Sequence, residues 1–160
     1  AGCGKGVTFS SLKDALLLRK VEHPLQVRLE DLLEWMKEMQ RNTPLYAATG
    51  GVHAAGLKDV ATGDLIVRED IGRHNALDKA IGAALRAGWD FRRVVALSSG
   101  RISYEAATER GRAQIAVAAW LTAATDQAVR LASHLGLDLV GYARSPRHAV
   151  IYTRSGRVLQ

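Results

Sequence analysis

The residues best equipped for chemistry fall in one undecapeptide, Glu69-Asp70-Ile71-Gly72-Arg73-His74-Asn75-Ala76-Leu77-Asp78-Lys79. It gathers acids, bases, an imidazole and an amide around Gly72, just after the apolar run Leu65-Ile66-Val67. A strand that runs into a glycine turn and then a helix start aims backbone N–H groups and the positive helix end at an anion. Polar residues this dense seldom build a core, because each would need a partner once buried. For any one of them the competing role is a solvated helix end with local ion pairs; together they read as a site. A second strand-to-helix turn, Ser98-Ser99-Gly100-Arg101, follows Val94-Val95-Ala96-Leu97 and offers another seat for an anion. A basic turn, Arg144-Ser145-Pro146-Arg147-His148, follows the apolar stretch Leu137 to Ala143.

The front of the chain, Ala1-Gly2-Cys3-Gly4-Lys5-Gly6, holds its one cysteine. Three glycines in six residues make residues 1–10 a mobile loop. Lys5 favours the thiolate of Cys3, the form that attacks sulfur. The competing role is an inert terminus. A phosphate loop does not fit, since no Ser or Thr follows Lys5 and no strand precedes it.

Stepping outward, 160 residues with a formal net charge of +6 make one domain, residues 11–160, that suits anionic ligands such as nucleotides. The basic residues come singly or in pairs, so no run reads as a nucleic-acid patch. No eighteen-residue apolar run is present, so no membrane span is expected. One cysteine excludes an internal disulfide and a multi-cysteine metal site, and fits a reducing, cytoplasmic setting.

The elements that must position these residues follow from periodicity. Leu29, Leu32, Leu33 and Met36 recur at helical spacing and predict an amphipathic helix closing near Asn42, ahead of Pro44. Small residues from Tyr46 to Leu57 suggest a buried strand. His53 within it is either a satisfied core histidine or a pocket residue. Asp64 to Arg68 returns as a hairpin partner, and the undecapeptide leads a helix that stops at Gly88. Strands at 94–97, 115–119 and 137–143 alternate with helices from about Ser103 and over 125–135, and Val150 to Tyr152 closes a last hairpin strand. This alternation argues for a three-layer α/β/α sandwich with a mixed sheet, whose ligands collect at the carboxyl ends of the strands.

Four ordered blocks resemble the FdhD family. They are Thr49-Gly50-Gly51-Val52-His53-Ala54-Ala55, the undecapeptide 69–79, Ser99-Gly100-Arg101-Ile102-Ser103-Tyr104-Glu105, and Leu139 to Arg144 with Tyr152-Thr153. The resemblance implies a cytidine-deaminase-like fold, a cytoplasmic homodimer and an accessory sulfurtransferase for formate dehydrogenase. Such proteins take a sulfane sulfur from a cysteine desulfurase as a cysteine persulfide. They pass it to the molybdenum cofactor in its bis-guanine-dinucleotide form. It further implies Cys3 as the sulfur carrier and Tyr142, Ala143, Arg144, Ser145, Pro146 and Arg147 as nucleotide contacts, with GDP as a possible analogue. His53, Arg73, His74, Lys79 and Arg101 would face the same crevice. For these last residues, ion pairing with Asp70, Asp78 or Glu105 is the competing role.

The family loop reads Cys-x-x-Cys-Gly-Lys, of which Cys3-Gly4-Lys5 is the second half. The chain therefore reads as the carboxyl-terminal part of a longer protein. Glu109 stands where the family has a lysine, and Ala124-Thr125 where it has Pro-Thr. A zinc deaminase needs His-x-Glu and Pro-Cys-x-x-Cys, whereas Ala55 follows His53 and no cysteine lies downstream, so no zinc is expected. A non-catalytic chaperone for the guanine-dinucleotide cofactor is the alternative, separable by whether the cysteine is needed. An apolar helix face such as Leu32, Leu33 and Met36 would join the dimer surface if it were not buried internally.

Overall fold

The computed structural model describes residues 18–160, so Cys3 and the 1–10 loop lie outside the described residues. The elements run β1 (Val27–Arg28), α1 (Leu29–Arg41), α2 (Pro44–Thr49), β2 (His53–Asp59), β3 (Leu65–Asp70) and α3 (Arg73–Arg86). They continue with β4 (Val94–Ser98), α4 (Tyr104–Arg112), β5 (Val117–Trp120), α5 (Asp126–Leu135), β6 (Asp138–Gly141), β7 (Val150–Ile151) and β8 (Val158–Leu159).

A six-stranded sheet has the order β3-β2-β4-β5-β6-β7. Strand β2 is antiparallel to both β3 and β4, while β4, β5 and β6 are parallel and β7 turns back. Strands β3, β4, β5 and β6 therefore all end at one rim, where β2 begins. The mixed sheet expected from the alternation of elements is present.

Both faces of the sheet are covered, as its unbroken apolar central strands require. Gly56 of β2 faces α1, where an added Cβ would stand 3.2 Å from Met39 Cγ. Lys58, two residues on, reaches Glu38 of α1 at 3.0 Å. Alternation then turns Ala55 and Leu57 to the other face, against α3. By register, Ser98 of β4 and Trp120 of β5 share that second face with Ala55. The crossovers from β3 to β4 to β5 to β6 all step in one direction, which places α3, α4 and α5 together on it. One hydrophobic cluster fills both interlayer spaces.

Helix α1 forms where its spacing predicts, with Leu29, Leu32, Leu33, Met36 and Met39 buried and Glu30 and Asp31 in the first turn near the positive helix end. Leu32, Leu33 and Met36 are 0%, 5% and 0% exposed, so that face is spent inside the chain and does not supply a dimer surface.

One expectation is corrected. The stretch from Tyr46 is not strand: α2 occupies Pro44–Thr49 and strand begins only at His53. Pro44 at the first helical position suits a helix start, and the Glu69 carboxylate accepts from Leu45 N at 3.0 Å and Tyr46 N at 2.9 Å. Gly50, at φ +65°, ends the helix in the left-handed region.

Candidate functional site

The three loops that leave β4, β5 and β6 are stitched into one rim. Thr122 Oγ1 donates to Gly100 O at 2.9 Å, and Tyr142 N donates to Thr122 O at 3.1 Å. Ala143 N reaches Trp120 O at 2.9 Å, Arg144 Nε reaches Leu121 O at 3.3 Å, and Thr125 N reaches Ile102 O at 3.0 Å. Strand spacing separates the ends of β4 and β6 by about 10 Å, which is the scale of a nucleotide. The two anion seats and the basic turn thus share one edge of the sheet.

At its β4 end the rim closes over a cleft lined by Arg73, His74, Ser98, Gly100, Arg101 and Trp120, together with Ala106 and Arg110 of α4. Gly100 brings the pieces close: a Cβ there would stand 3.4 Å from Arg73 Cδ and 3.7 Å from His53 Nδ1. Opposite, Ser99 Oγ accepts from Ala54 N at 2.9 Å, which fixes the start of β2 beside the end of β4. The cleft space is about 10 Å³, room for one water-sized group.

Arg110 takes up most of the cleft floor. It is 3% exposed and lies 4.6 Å above the Trp120 ring. Its Nη1 donates to Ala106 O at 3.2 Å and its Nη2 to Ser98 Oγ at 3.3 Å. Burial pulls its pKa down to about 10, against the carboxylates of Glu109 and Asp78, which act to raise it. Beside it, His74 Nδ1 is in hydrogen-bonding contact with Glu109 Oε1. Burial raises the Glu109 carboxyl above its ordinary value, against the opposing charges of His74 and Arg110.

The expected site residues divide. His53, Arg73, His74 and Arg101 converge at the β4 end of the rim. His74 does pair with a carboxylate, but with Glu109 of α4 rather than with Asp70, Asp78 or Glu105. Lys79 is not among the residues lining the cleft: its Nζ lies 2.5 Å from Asp70 Oδ2 and donates to Glu69 O at 3.2 Å. The Lys79 ammonium on the Asp70 carboxylate and the Gly72 N–H hold that carboxyl below the usual range. Tyr142 to Arg147 form the other end of the rim. Tyr142, at φ 48° and 41% exposed, stands in a conformation uncommon for a side chain of its size and presents its ring to solvent. Ala143 is buried, Ser145 Oγ meets His148 Nδ1 at 2.7 Å, and Arg144, Pro146 and Arg147 are exposed. Among the described residues, Arg73, Arg101, Arg110, Arg144 and Arg147 have no salt-bridge partner, so the rim carries unbalanced positive charge.

Sequence reasoning placed Ser98 in the second anion seat but missed Glu109, Arg110 and Trp120 as participants. One signal was available: Arg110 lies four residues from Ala106 and three from Ala107 on the buried face of α4. A charge on such a face needs a reason.

Comparison with known proteins agrees with the geometry. The chain is 39% identical over 158 residues to the sulfur carrier protein FdhD of Wolinella succinogenes, covering 99% of this chain and 54% of that one. It is 38% identical over 159 residues to the protein of the same name from Xanthomonas euvesicatoria pv. vesicatoria, covering 99% and 56%. The chain spans about half the length of the curated relatives it matches. Its fold matches the crystal structure of a protein from Desulfotalea psychrophila, described as a formate dehydrogenase accessory protein, with a TM-score of 0.78 and 24% identity over 92% of this chain and 62% of that one. The FdhD/NarQ family model matches residues 1–159, from the glycine-rich front through the cationic rim to the last strand, and the chain belongs to that family.

Proposed function

We propose that this chain is part of a sulfur carrier that accepts sulfane sulfur from a cysteine desulfurase on Cys3 and delivers it to the bis-guanine-dinucleotide molybdenum cofactor for formate dehydrogenase. The carrying observation is family membership over residues 1–159, including Cys3-Gly4-Lys5, joined to a rim whose arginines lack carboxylate partners. Relatives at 38–39% identity bear the name sulfur carrier protein. Loading is thiol exchange: the Cys3 thiolate attacks the outer sulfur of the desulfurase persulfide, that S–S bond breaks, and the desulfurase cysteine leaves as thiolate. No net oxidation occurs in that step.

The cofactor is cargo, and its nucleotide end is a polyanion. The cleft, at about 10 Å³, excludes a guanine, so the nucleotide lies along the open rim. There Arg144 and Arg147 suit phosphate, the exposed Tyr142 ring offers a stacking face for guanine, and Arg101 extends the positive field. Gly141 sets this turn close to its neighbours: a Cβ there would fall 2.8 Å from Thr122 O.

Titration with GDP tests the rim. Micromolar-class binding, about −8 kcal/mol, is expected, weakened about tenfold by Arg144→Ala or Arg147→Ala. Unchanged affinity in both variants moves the nucleotide elsewhere. Replacing Cys3 by Ala in the full-length protein, together with the preceding family cysteine, separates carrier from chaperone. Loss of formate dehydrogenase sulfuration supports the carrier, and undiminished sulfuration supports a cysteine-independent chaperone for the same cargo.

A further inference from the structure

We propose that the cleft beneath Gly100 is a seat for a single-atom anion, namely a sulfur anion in the form of hydrosulfide or the terminal sulfur of a persulfide, held by Arg73 and Arg110 against the Trp120 ring. The seat itself rests on geometry. Only the choice of sulfur as its occupant rests on the carrier reading above.

Charge comes first. Arg73, Arg101 and Arg110 line the cleft, and none has a salt-bridge partner among the described residues. Two acids act on Arg110, Glu109 and Asp78; Glu109 is engaged by His74, and neither is among the lining residues. An anion entering the cleft therefore meets excess positive charge in a place that water screens poorly.

Unfilled donors come second. Arg110 is 3% exposed, yet its Nε is buried with no hydrogen-bond partner, and Arg73 Nε is in the same condition. Buried N–H donors in folded proteins are nearly always satisfied, and a guanidinium left without an acceptor marks a place where one is missing. Two such donors on lining residues of one cleft call for a shared acceptor.

Size then selects the ligand. Space of about 10 Å³ holds one heavy atom, so a whole phosphate, sulfate or thiosulfate ion does not enter it. Among single-atom acceptors, a polarizable sulfur anion suits this seat: the guanidinium donors neutralise it, and Trp120, whose ring already carries Arg110, helps to keep water out. Its position is apt, since the seat opens at the same rim that would carry the acceptor of the sulfur.

The test uses the chain with Cys3→Ala, so that its own thiol takes no part, and with Trp35→Phe and Trp89→Phe, leaving Trp120 as the fluorescent reporter. Sodium hydrosulfide, sodium bromide and glutathione persulfide are titrated separately at constant ionic strength. A saturable change in Trp120 emission with hydrosulfide or glutathione persulfide is expected, with its midpoint raised at least tenfold in Arg110→Met and in Arg73→Met and unmoved in Arg92→Met. A response to hydrosulfide alone assigns the seat to the free anion; a response to glutathione persulfide assigns it to a carried sulfur. Bromide alone, a linear quench, no response, or equal midpoints in both cleft variants overturns the proposal. If Arg110→Met loses its native circular dichroism, Arg73→Met decides by itself. Because Cys3 is absent from this experiment, failure of the Cys3 chain to take up sulfane sulfur would sink the carrier reading without touching the titration.

Discussion

Arg110 and Arg157 are both buried, at 3% and 7% exposure, and their guanidinium groups sit at opposite rims of one sheet. Arg157 lies beside the start of β6 with every donor spent. It reaches Asp138 Oδ1 at 3.2 Å, Ser155 Oγ at 2.9 Å, Val21 O at 3.0 Å and His23 O at 3.0 Å and 3.1 Å, and also donates to Gly136 O. Arg110, at the ends of β4 and β5, has two neutral acceptors, an aromatic face and an idle Nε. The same side chain thus does two jobs. Where its hydrogen bonds close on themselves it joins distant segments, and where they are left open it waits for something from outside.

Substituting the two arginines in parallel is the hardest test of that contrast. Arg157→Met leaves Asp138, 1% exposed, as an unpaired buried charge and is expected to cost about 3–5 kcal/mol in urea unfolding. Arg110→Met removes a desolvated cation that has no ionic partner and is expected to hold or raise stability. Equal losses in the two would make Arg110 a structural residue and break the comparison.

Glu109 sharpens it at intermediate scale. Its carboxyl is raised in the fold by burial, so the folded state holds its proton more tightly than the unfolded one. Stability from this group is then present at acid pH and lost as pH rises from the unfolded value through the raised folded value. Glu109→Gln should flatten that decline, with the variant gaining on the parent toward neutral pH and converging with it in acid. A parallel pH profile for the two proteins would remove Glu109 from the account.

The smallest effect belongs to Lys79. Its pair with Asp70 is 52% exposed on the lysine side and screened by solvent. Lys79→Met should return the Asp70 carboxyl toward the ordinary range in a proton-detected titration, so that stability tied to its ionisation is lost at a higher pH as acid is added. GDP affinity and the Trp120 response should not move. A change in either would bring Lys79 back to the rim.

Much of this molecule was legible in its amino-acid order. The stripe of α1, the apolar runs of β4 and β6 and the glycine stop after α3 are local patterns, and local patterns survive without a structure. The turns that form the rim were legible for the same reason. Helix α2 was not, because Ala47-Ala48-Thr49 has no periodicity and its start is held by Glu69, 24 residues from Leu45. Nor was the cleft. Trp120 and Ser98 come from separate strands, His74 and Glu109 from separate helices, and only the packed sheet shows that Arg110 lies among them.

The clasp of Arg157 on Val21 and His23 has a mechanical consequence. It fastens the incoming backbone at the rim away from the cleft, with Val21 N also tied to Leu135 O at 2.7 Å. The same side chain grips Asp138 at the start of β6, and Val158 beside it pairs with Val27 of β1. One guanidinium thus closes the approach to α1, the start of β6 and the last strand into a single knot, so loosening it would free all three at once.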